Sequence, residues 1–379
     1  MKTTSYSTGI DTVEIGGDME ISLSTTPDGI ELQRSSSIFK VGLAKRVLLP
    51  VMEEWFNGIL AGVKDADLIV FPCSCVLIGL SCIEKYPNIK AIGIYTFPCI
   101  RTVEFTPPVL SGKSESMFNW INSLKWKLLE YGASSMYNDK INQLRANIGL
   151  APIELKYDQM IRSIFHKPMI TATIYSKHLL PRPFDWSEND HMVGPILEED
   201  DYSFQSSPDI LMFLDKWKSE KIIYVGLGSM MTIRNNNCKA IISLVGLQQA
   251  NSDKLNNDEN IVYLKEIVPH SWLFPNMSAA IHHGGAGTTH TSLRYGLPTL
   301  VLPFGADQPF NGDRIFVNKL GPRPIPIRQT NVKNLTNAIS DLLRNYSMYQ
   351  MNAKTISESI RDEDGLGHCV RLIEAELVV

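Results

Sequence analysis

Short apolar runs, each closed by a turn signal and followed by a helical pattern, recur along the chain: LIVF at 68–71, AIGIY at 91–95, IIYVGLG at 222–228, IVYL at 261–264, AAIHH at 279–283 and TLVLP at 299–303. Unbroken β-branched runs fit strands buried on both faces, and strands that take turns with helices predict doubly wound parallel sheets. Between Ser116 and Leu150 the apolar positions, including Trp120, Trp126, Leu129, Tyr137 and Ile141, follow a helical spacing long enough for one or two helices. Around Val193-Gly194-Pro195 the pattern becomes extended, then acidic from Glu198 to Asp201. Ser207-Pro208 then opens a helix, with serine as cap and proline in the first turn, which puts a linker near 196–207. The end of the chain, from Ser357 to Val379, reads as helix with a break at Gly365 and Gly367. Before Leu68 the strand signal is confined to the short DTVEI at 11–15.

A chain of 379 residues is long for one core and sufficient for two. The expected division is 1–200, 201–350 and a helical segment over 351–379. With 44% hydrophobic and 20% charged residues, packing rather than disorder is expected. A net charge of -4, with both signs mixed along the chain, argues against a nucleic-acid partner. Six cysteines, Cys73, Cys75, Cys82, Cys99, Cys238 and Cys369, lack the paired spacing of a zinc site; they read as reduced core thiols and point to a cytoplasmic compartment. The opening MKTTSYSTG has no apolar signal region, and the apolar stretch from Leu68 to Cys82 is interrupted by Pro72 and Ser74 and too short to span a bilayer. Any membrane contact is therefore expected to be peripheral.

The stretch richest in chemistry is SAAIHHGGAGTT, from Ser278 to Thr289. A short strand runs into two histidines and a glycine-rich turn, where backbone N–H groups and a helix amino terminus can face an anion. This is the composition of a diphosphate cradle. His283 can donate to a phosphate oxygen and Thr288 can offer a hydroxyl and an N–H, which would stabilise charge on a departing diphosphate. The alternative is a tight strand-to-helix turn with buried histidines. Downstream, PFGADQPFNG places Asp307 and Gln308 just beyond the TLVLP strand, at the ligand-binding edge of a parallel sheet. A carboxylate beside an amide suits sugar hydroxyls, although Asp before Gln-Pro is also good helix-capping chemistry. Upstream, VPHSWLFP at 268–275 follows a strand and could present backbone groups to a base edge; Ser229, closing the GLGS turn, is a second phosphate candidate or an ordinary turn residue. A nicotinamide site is disfavoured, because no G-x-G-x-x-G follows an early strand.

The run VPHSWLFPNMSAAIHHGGAGTTHTSLRYGLPTLVLPFGADQPFNGDRI closely resembles the donor-binding signature of UDP-dependent glycosyltransferases with the GT-B fold, in particular the sterol 3-β-glucosyltransferases. GLGSM at 226–230, FPCIRT at 97–102, RPFDW at 182–186 and VGPIL at 193–197 are similar to further markers of that family. The resemblance implies an α/β fold of two Rossmann-like domains with a cleft between them. The first (1–200) would bind the acceptor and the second (201–350) the UDP-sugar. It implies inverting, metal-free transfer of glucose from UDP-glucose to the 3-hydroxyl of a sterol. It also implies that Val268 and His270 lie near the uridine, that His283, Ala286, Gly287 and Thr288 hold the diphosphate, and that Asp307 and Gln308 hold the sugar.

The sequence departs from the family pattern in three places. Similar sterol glucosyltransferases open with a strand and a GSRGD-type loop that carries an acidic candidate base; neither occurs here, and the start resembles the later GGD segment, Gly16-Gly17-Asp18. The first domain is thus expected to lack its opening strand, and no catalytic base is nominated; His166, His178 and His191 read as surface or helix-end residues. Between IIYVG and KAIISLV only about a dozen residues are available, near the minimum of ~10–12 for a parallel crossover, so its helix is expected to be missing. KLGPRPIPI at 319–327 looks slightly short. Two other functions stay open on these grounds: transfer to another lipophilic alcohol, and a non-catalytic UDP-sugar- or lipid-binding protein.

Overall fold

The computed structural model describes residues 12–34, 41–110, 113–114, 118–153, 169–198, 204–226, 239–243 and 258–378. The elements in chain order are α1 (Met19–Thr25), α2 (Pro27–Arg34), α3 (Val41–Gly62), β1 (Leu68–Phe71), α4 (Val76–Lys85), β2 (Lys90–Tyr95), α5 (Asn119–Asn147), β3 (Ile170–Thr173) and β4 (Asp190–Met192). They continue with α6 (Pro208–Lys216), β5 (Ile222–Gly226), β6 (Lys239–Ser243), β7 (Ile261–Leu264), α7 (His270–Leu273), β8 (Ala279–His282), α8 (Ala286–Arg294), β9 (Thr299–Val301), α9 (Gln308–Val317), α10 (Val332–Arg344), α11 (Tyr346–Arg361) and α12 (Gly365–Val378). The strands form two sheets, ordered β1-β2-β3-β4 and β7-β6-β5-β8-β9. Two compact units divide the chain: 1–94 with 127–171 and 373–379, and 95–126 with 172–372. These units interleave along the sequence, whereas the division at 200 and 350 follows consecutive segments.

In the first unit, β1 and β2 pair in parallel from Leu68 with Lys90 to Phe71 with Gly93. The core against them is built from Phe56 of α3, Ile78 and Leu80 of α4, and Ile141 and Leu144 of α5. The helical pattern of 116–150 resolves into the single helix α5. Near its end the guanidinium of Arg145 is buried and paired, donating to the Ser81 hydroxyl, the Glu84 carboxylate at 2.6 Å and the Ala151 carbonyl. That pairing is what makes a buried guanidinium tolerable. The short DTVEI segment is not a strand over its described residues, 12–15. It runs along α3 instead: a Cβ on Gly58 would meet the Ile15 backbone at 2.6 Å, and Trp55 donates its indole N–H to the Gly17 carbonyl at 2.7 Å. Packing on a helix has overridden a local strand preference, as tertiary context regularly does.

The second unit carries the five-stranded parallel sheet. Alternate residues of β5 face opposite layers, Ile223 and Val225 toward Leu335, Ile339 and Leu342 of α10, and Ile222 and Tyr224 toward Ile210 and Phe213 of α6 and Leu273 of α7. That two-residue alternation with apolar partners on both sides is why the strand reads as an unbroken apolar run. Helix α6 begins at Pro208 as expected, though the Ser207 side chain makes no capping hydrogen bond. The helical tail is broken between Arg361 and Gly365, so Gly365 starts α12. The short crossover between β5 and β6 lies outside the described residues. Cys75, Cys82 and Cys369 are buried, and burial pushes the Cys82 thiol up to about 11; Cys238 lies outside the described residues.

Candidate functional site

Strand order reverses direction between β5 and β8, which pair in parallel from Ile223 with Ala279 to Gly226 with His282. In open parallel sheets the crevice beyond the carboxyl ends of such a strand pair is where ligands bind. The residues at that edge are Gly226, His282 at the end of β8, His283 just after it, and the turn leading into α8.

His282 has no solvent exposure, and its Nδ1 accepts the Gly284 N–H at 3.0 Å. Its proton is therefore on Nε2, which lies 3.4 Å from the Ser292 hydroxyl. Burial, with His283 and His270 nearby, holds it well below the usual imidazole range. His282 is a neutral brace that shapes the turn. His283 points the other way. Its ring is hydrogen-bonded to the Gly226 backbone and faces the Asp307 charge, both of which favour protonation, yet burial outweighs them and its pKa is lowered. A Cβ on Gly285 would sit 2.5 Å from His283 Nε2, and a Cβ on Gly284, whose φ is +90°, would strike Val301 at 2.5 Å. The two glycines thus let the turn pass between a histidine ring and the next strand.

Helix α8 starts at Ala286 with Gly285 as its cap and no capping side chain. The Ala286 N–H is directed at the Asp307 carboxylate, an anion already seated on the positive end of the helix. Gly287 and Thr288 supply the next amides, and in front of Gly287 a Cβ would meet no atom within 4 Å. Burial raises the Asp307 pKa, opposed by its own N–H, Asn311, His283 and Ala286. Asp307 follows Ala306, a non-glycine residue at φ 52°. Gln308 turns its Oε1 back to the N–H groups of Phe304 at 2.8 Å and Gly305 at 3.4 Å, which ties the side chain to its own loop.

His270 opens α7. Its ring stacks on Phe274 at 4.5 Å and its Nε2 lies 3.0 Å from the Tyr224 hydroxyl; burial, then His283, lowers its pKa. Val268 as a whole is 8% exposed, and its side chain belongs to the core of this unit. Ser229 and His166 lie outside the described residues. His178 faces Glu363 at 3.9 Å and His191 packs its ring on His368. Among the described residues no group of three or more His, Cys, Asp or Glu side chains could hold a metal ion, and no helix is long and apolar enough to cross a membrane.

Three buried residues at this site escaped sequence reasoning. Asn311 donates to the Gly284 carbonyl and to Asp307 Oδ2, both at 2.8 Å, and accepts from the Tyr175 hydroxyl at 2.9 Å. His290, pushed down to about 4 by burial, accepts the Ser176 N–H at Nε2, so its Nδ1 carries the proton and donates to the Ala286 carbonyl at 2.8 Å. Asn311 stood inside the noticed PFGADQPFNG run and His290 just beyond the glycines, but nothing local marked either; Tyr175 had no signal at all.

Residues 236–364 match the family of erythromycin biosynthesis protein CIII-like carboxy-terminal domains. Among curated proteins, the chain is similar to the sterol 3-β-glucosyltransferase UGT80B1 of Arabidopsis thaliana, 32% identical over 301 residues that cover 74% of this chain and 47% of that protein. It is also similar to a sterol 3-β-glucosyltransferase of Komagataella phaffii, 31% identical over 338 residues, 83% of this chain and 26% of that protein. The chain thus spans less than half the length of either relative. Among solved structures, the glycotransferase of kitacinnamycin superposes with a TM-score of 0.61 at 16% identity, over 87% of this chain and 82% of that one. The glycosyltransferase VinC, in complex with dTDP, superposes with a TM-score of 0.59 at 16% identity, over 97% and 88%. These likenesses establish the expected fold: two parallel sheets in the GT-B arrangement of Rossmann-like domains.

Proposed function

We propose that this chain, a GT-B glycosyltransferase homologue related to the sterol 3-β-glucosyltransferases, transfers glucose from UDP-glucose to the 3-hydroxyl of a sterol with inversion at the anomeric carbon. The observation that carries the reading is the edge of β5 and β8, where a glycine turn, the amino terminus of α8 and the paired Asp307 and Gln308 converge.

In this reading the backbone of Val268 and the ring of His270 border the uridine. The Gly287 and Thr288 amides and His283 take the diphosphate, Ala286 ties the helix to Asp307, and Asp307 and Gln308 hold sugar hydroxyls. The acceptor oxygen attacks the anomeric carbon from the face opposite UDP. A carbon–oxygen bond to the acceptor forms as the bond to the β-phosphate oxygen breaks, and the electron pair leaves with UDP. Negative charge grows on that oxygen at the helix amino terminus, where aligned amides stabilise it without reorganising; the proposal gives this role to the protein rather than to a metal ion. The acceptor's proton passes to a base to which no residue is assigned. Residues 1–200 are read as the acceptor side and 201–350 as the donor side, with 351–379 a helical tail. A cytoplasmic protein touching membranes peripherally, where sterols reside, is consistent with the proposed acceptor.

The test is transfer of radiolabelled glucose from UDP-glucose to ergosterol, cholesterol and sitosterol by the purified chain, beside His283→Ala. Sterol glucoside formed by the parent and lost in the variant supports the reading. UDP binding by a folded parent that transfers to none of the three overturns it in favour of a binding protein or another lipophilic acceptor.

A further inference from the structure

We propose that Asn311 is a positioning residue that fastens the sugar-binding carboxylate of Asp307 to the diphosphate turn at Gly284, with Tyr175 setting its orientation; the inference rests on the donor-site reading above. Asn311 lies in the first turn of α9 with no solvent exposure. A carboxamide has two N–H hydrogens and one acceptor oxygen. Both hydrogens are committed, one to the Gly284 carbonyl and one to Asp307 Oδ2, each at 2.8 Å. The oxygen accepts from Tyr175 at 2.9 Å. Tyr175 is also without exposure, and burial raises its pKa, so its hydroxyl stays a donor. Turning the amide over would set its oxygen against a carbonyl and a carboxylate at once. A single orientation is therefore enforced.

The two groups joined by this amide sit on backbone that does not hold itself in place. Gly284 has φ +90°, and Asp307 follows Ala306 at φ 52°. Gly284 adopts its conformation freely and needs a partner to fix it, whereas the non-glycine Ala306 keeps its own only where neighbouring contacts over-determine it. Tyr175 provides a second tether, because its ring meets the edge of His290 at 4.5 Å and His290 holds the Ala286 carbonyl in the first turn of α8. The diphosphate turn and the sugar carboxylate consequently move as one body. UDP alone calls on the turn; UDP-glucose calls on both ends of the bridge.

The experiment is calorimetric titration of UDP and of UDP-glucose into the full chain, into Asn311→Ala, into Tyr175→Phe and into the double variant, with each protein's melting temperature. In Asn311→Ala the preference for UDP-glucose over UDP is expected to fall about tenfold, the consequence of leaving one buried carbonyl and one carboxylate oxygen without a donor. UDP affinity itself is expected to change by about twofold or less. Tyr175→Phe lies between, and the double variant matches Asn311→Ala, because both changes break the same bridge. The titratable groups facing Asp307 are His283 and Tyr175. Losing the amide removes a group that favours the Asp307 carboxylate, so the acidic limb of UDP-glucose binding moves to higher pH in Asn311→Ala. If Asn311→Ala does not fold, Tyr175→Phe carries the same test through its own fall in preference and its own acidic limb. Equal weakening of UDP and UDP-glucose, or an unchanged preference in variants that melt like the parent, overturns the inference while leaving the donor site standing. A parent chain that binds UDP but not UDP-glucose, or neither, overturns the donor-site reading and this inference with it.

Discussion

Two glycines of one turn should respond in opposite ways to the same added methyl group. At Gly284 φ is +90° and an alanine Cβ would lie 2.5 Å from Val301 Cγ1 and 3.1 Å from the Gln308 carbonyl. A left-handed backbone costs an L-residue roughly 1–2 kcal/mol, and forcing a methyl into a filled space adds typically ~1–3 kcal/mol. Gly284→Ala is therefore expected to destabilise the protein by about 2–5 kcal/mol. At Gly287 no atom lies within 4 Å of the added Cβ, and the residue is the second of α8. Replacing a helical glycine with alanine there gains up to about 0.5–1 kcal/mol, less so near a helix end. The same methyl projects into the space assigned to the diphosphate. Gly287→Ala should melt at or slightly above the parent temperature, by about 1–3 °C, and bind UDP at least about tenfold more weakly. Thermal denaturation of the three proteins, with and without saturating UDP, separates the effects: ligand stabilisation should survive wherever Gly284→Ala still folds and shrink in Gly287→Ala. A Gly287→Ala protein that binds UDP as tightly as the parent would refute the placement of the diphosphate at the start of α8. A Gly284→Ala protein of parental stability would refute the turn geometry.

Ala306→Gly relieves the left-handed alanine that precedes Asp307, and after the entropic cost of a new glycine the expected gain is roughly 0.5 kcal/mol, readable as a rise in the urea midpoint with an unchanged slope; a clear loss of stability would show that the conformation is not strained. His283 is held below the usual imidazole range by burial in the free protein, and a diphosphate beside it favours the protonated ring. The bound pKa then exceeds the free one, so UDP affinity rises as pH falls through the bound value and levels off below the free value. His283→Gln, titrated in parallel, carries the ionisation of the diphosphate, of Asp307 and of His270 without that of His283. The difference between the two profiles should be proton uptake on binding, and superimposable profiles would remove His283 from the diphosphate.

Much of the architecture was legible along the chain because its signals are local. LIVF, IVYL and the first five residues of IIYVGLG are strands where they were read, and the run stayed apolar because Ile223 and Val225 face one layer and Ile222 and Tyr224 the other. The glycine turn and the Asp307-Gln308 loop were legible for a similar reason, since tight turns and helix amino termini are built from residues adjacent in sequence. The break before Gly365 belongs to the same class.

What a linear reading does not contain is any quantity defined between distant residues. DTVEI has strand-like composition, but the face offered by α3 at Gly58 and Trp55 claims it. Val268 reads as a residue beside the base site, and only packing shows that its side chain belongs to the core. The bond from Tyr175 to Asn311 spans 136 positions, and the one from Ser176 to His290 spans 114. By itself, then, the sequence determined the layered α/β architecture, most of its strands, and the glycine turn and Asp307-Gln308 loop that follow two of them, because periodicity and turn chemistry act over a few residues. Tertiary structure alone decided which groups hold those loops in register. A hydrogen bond depends on two atoms lying within about 3 Å, and for residues a hundred positions apart that distance exists only once the chain has folded.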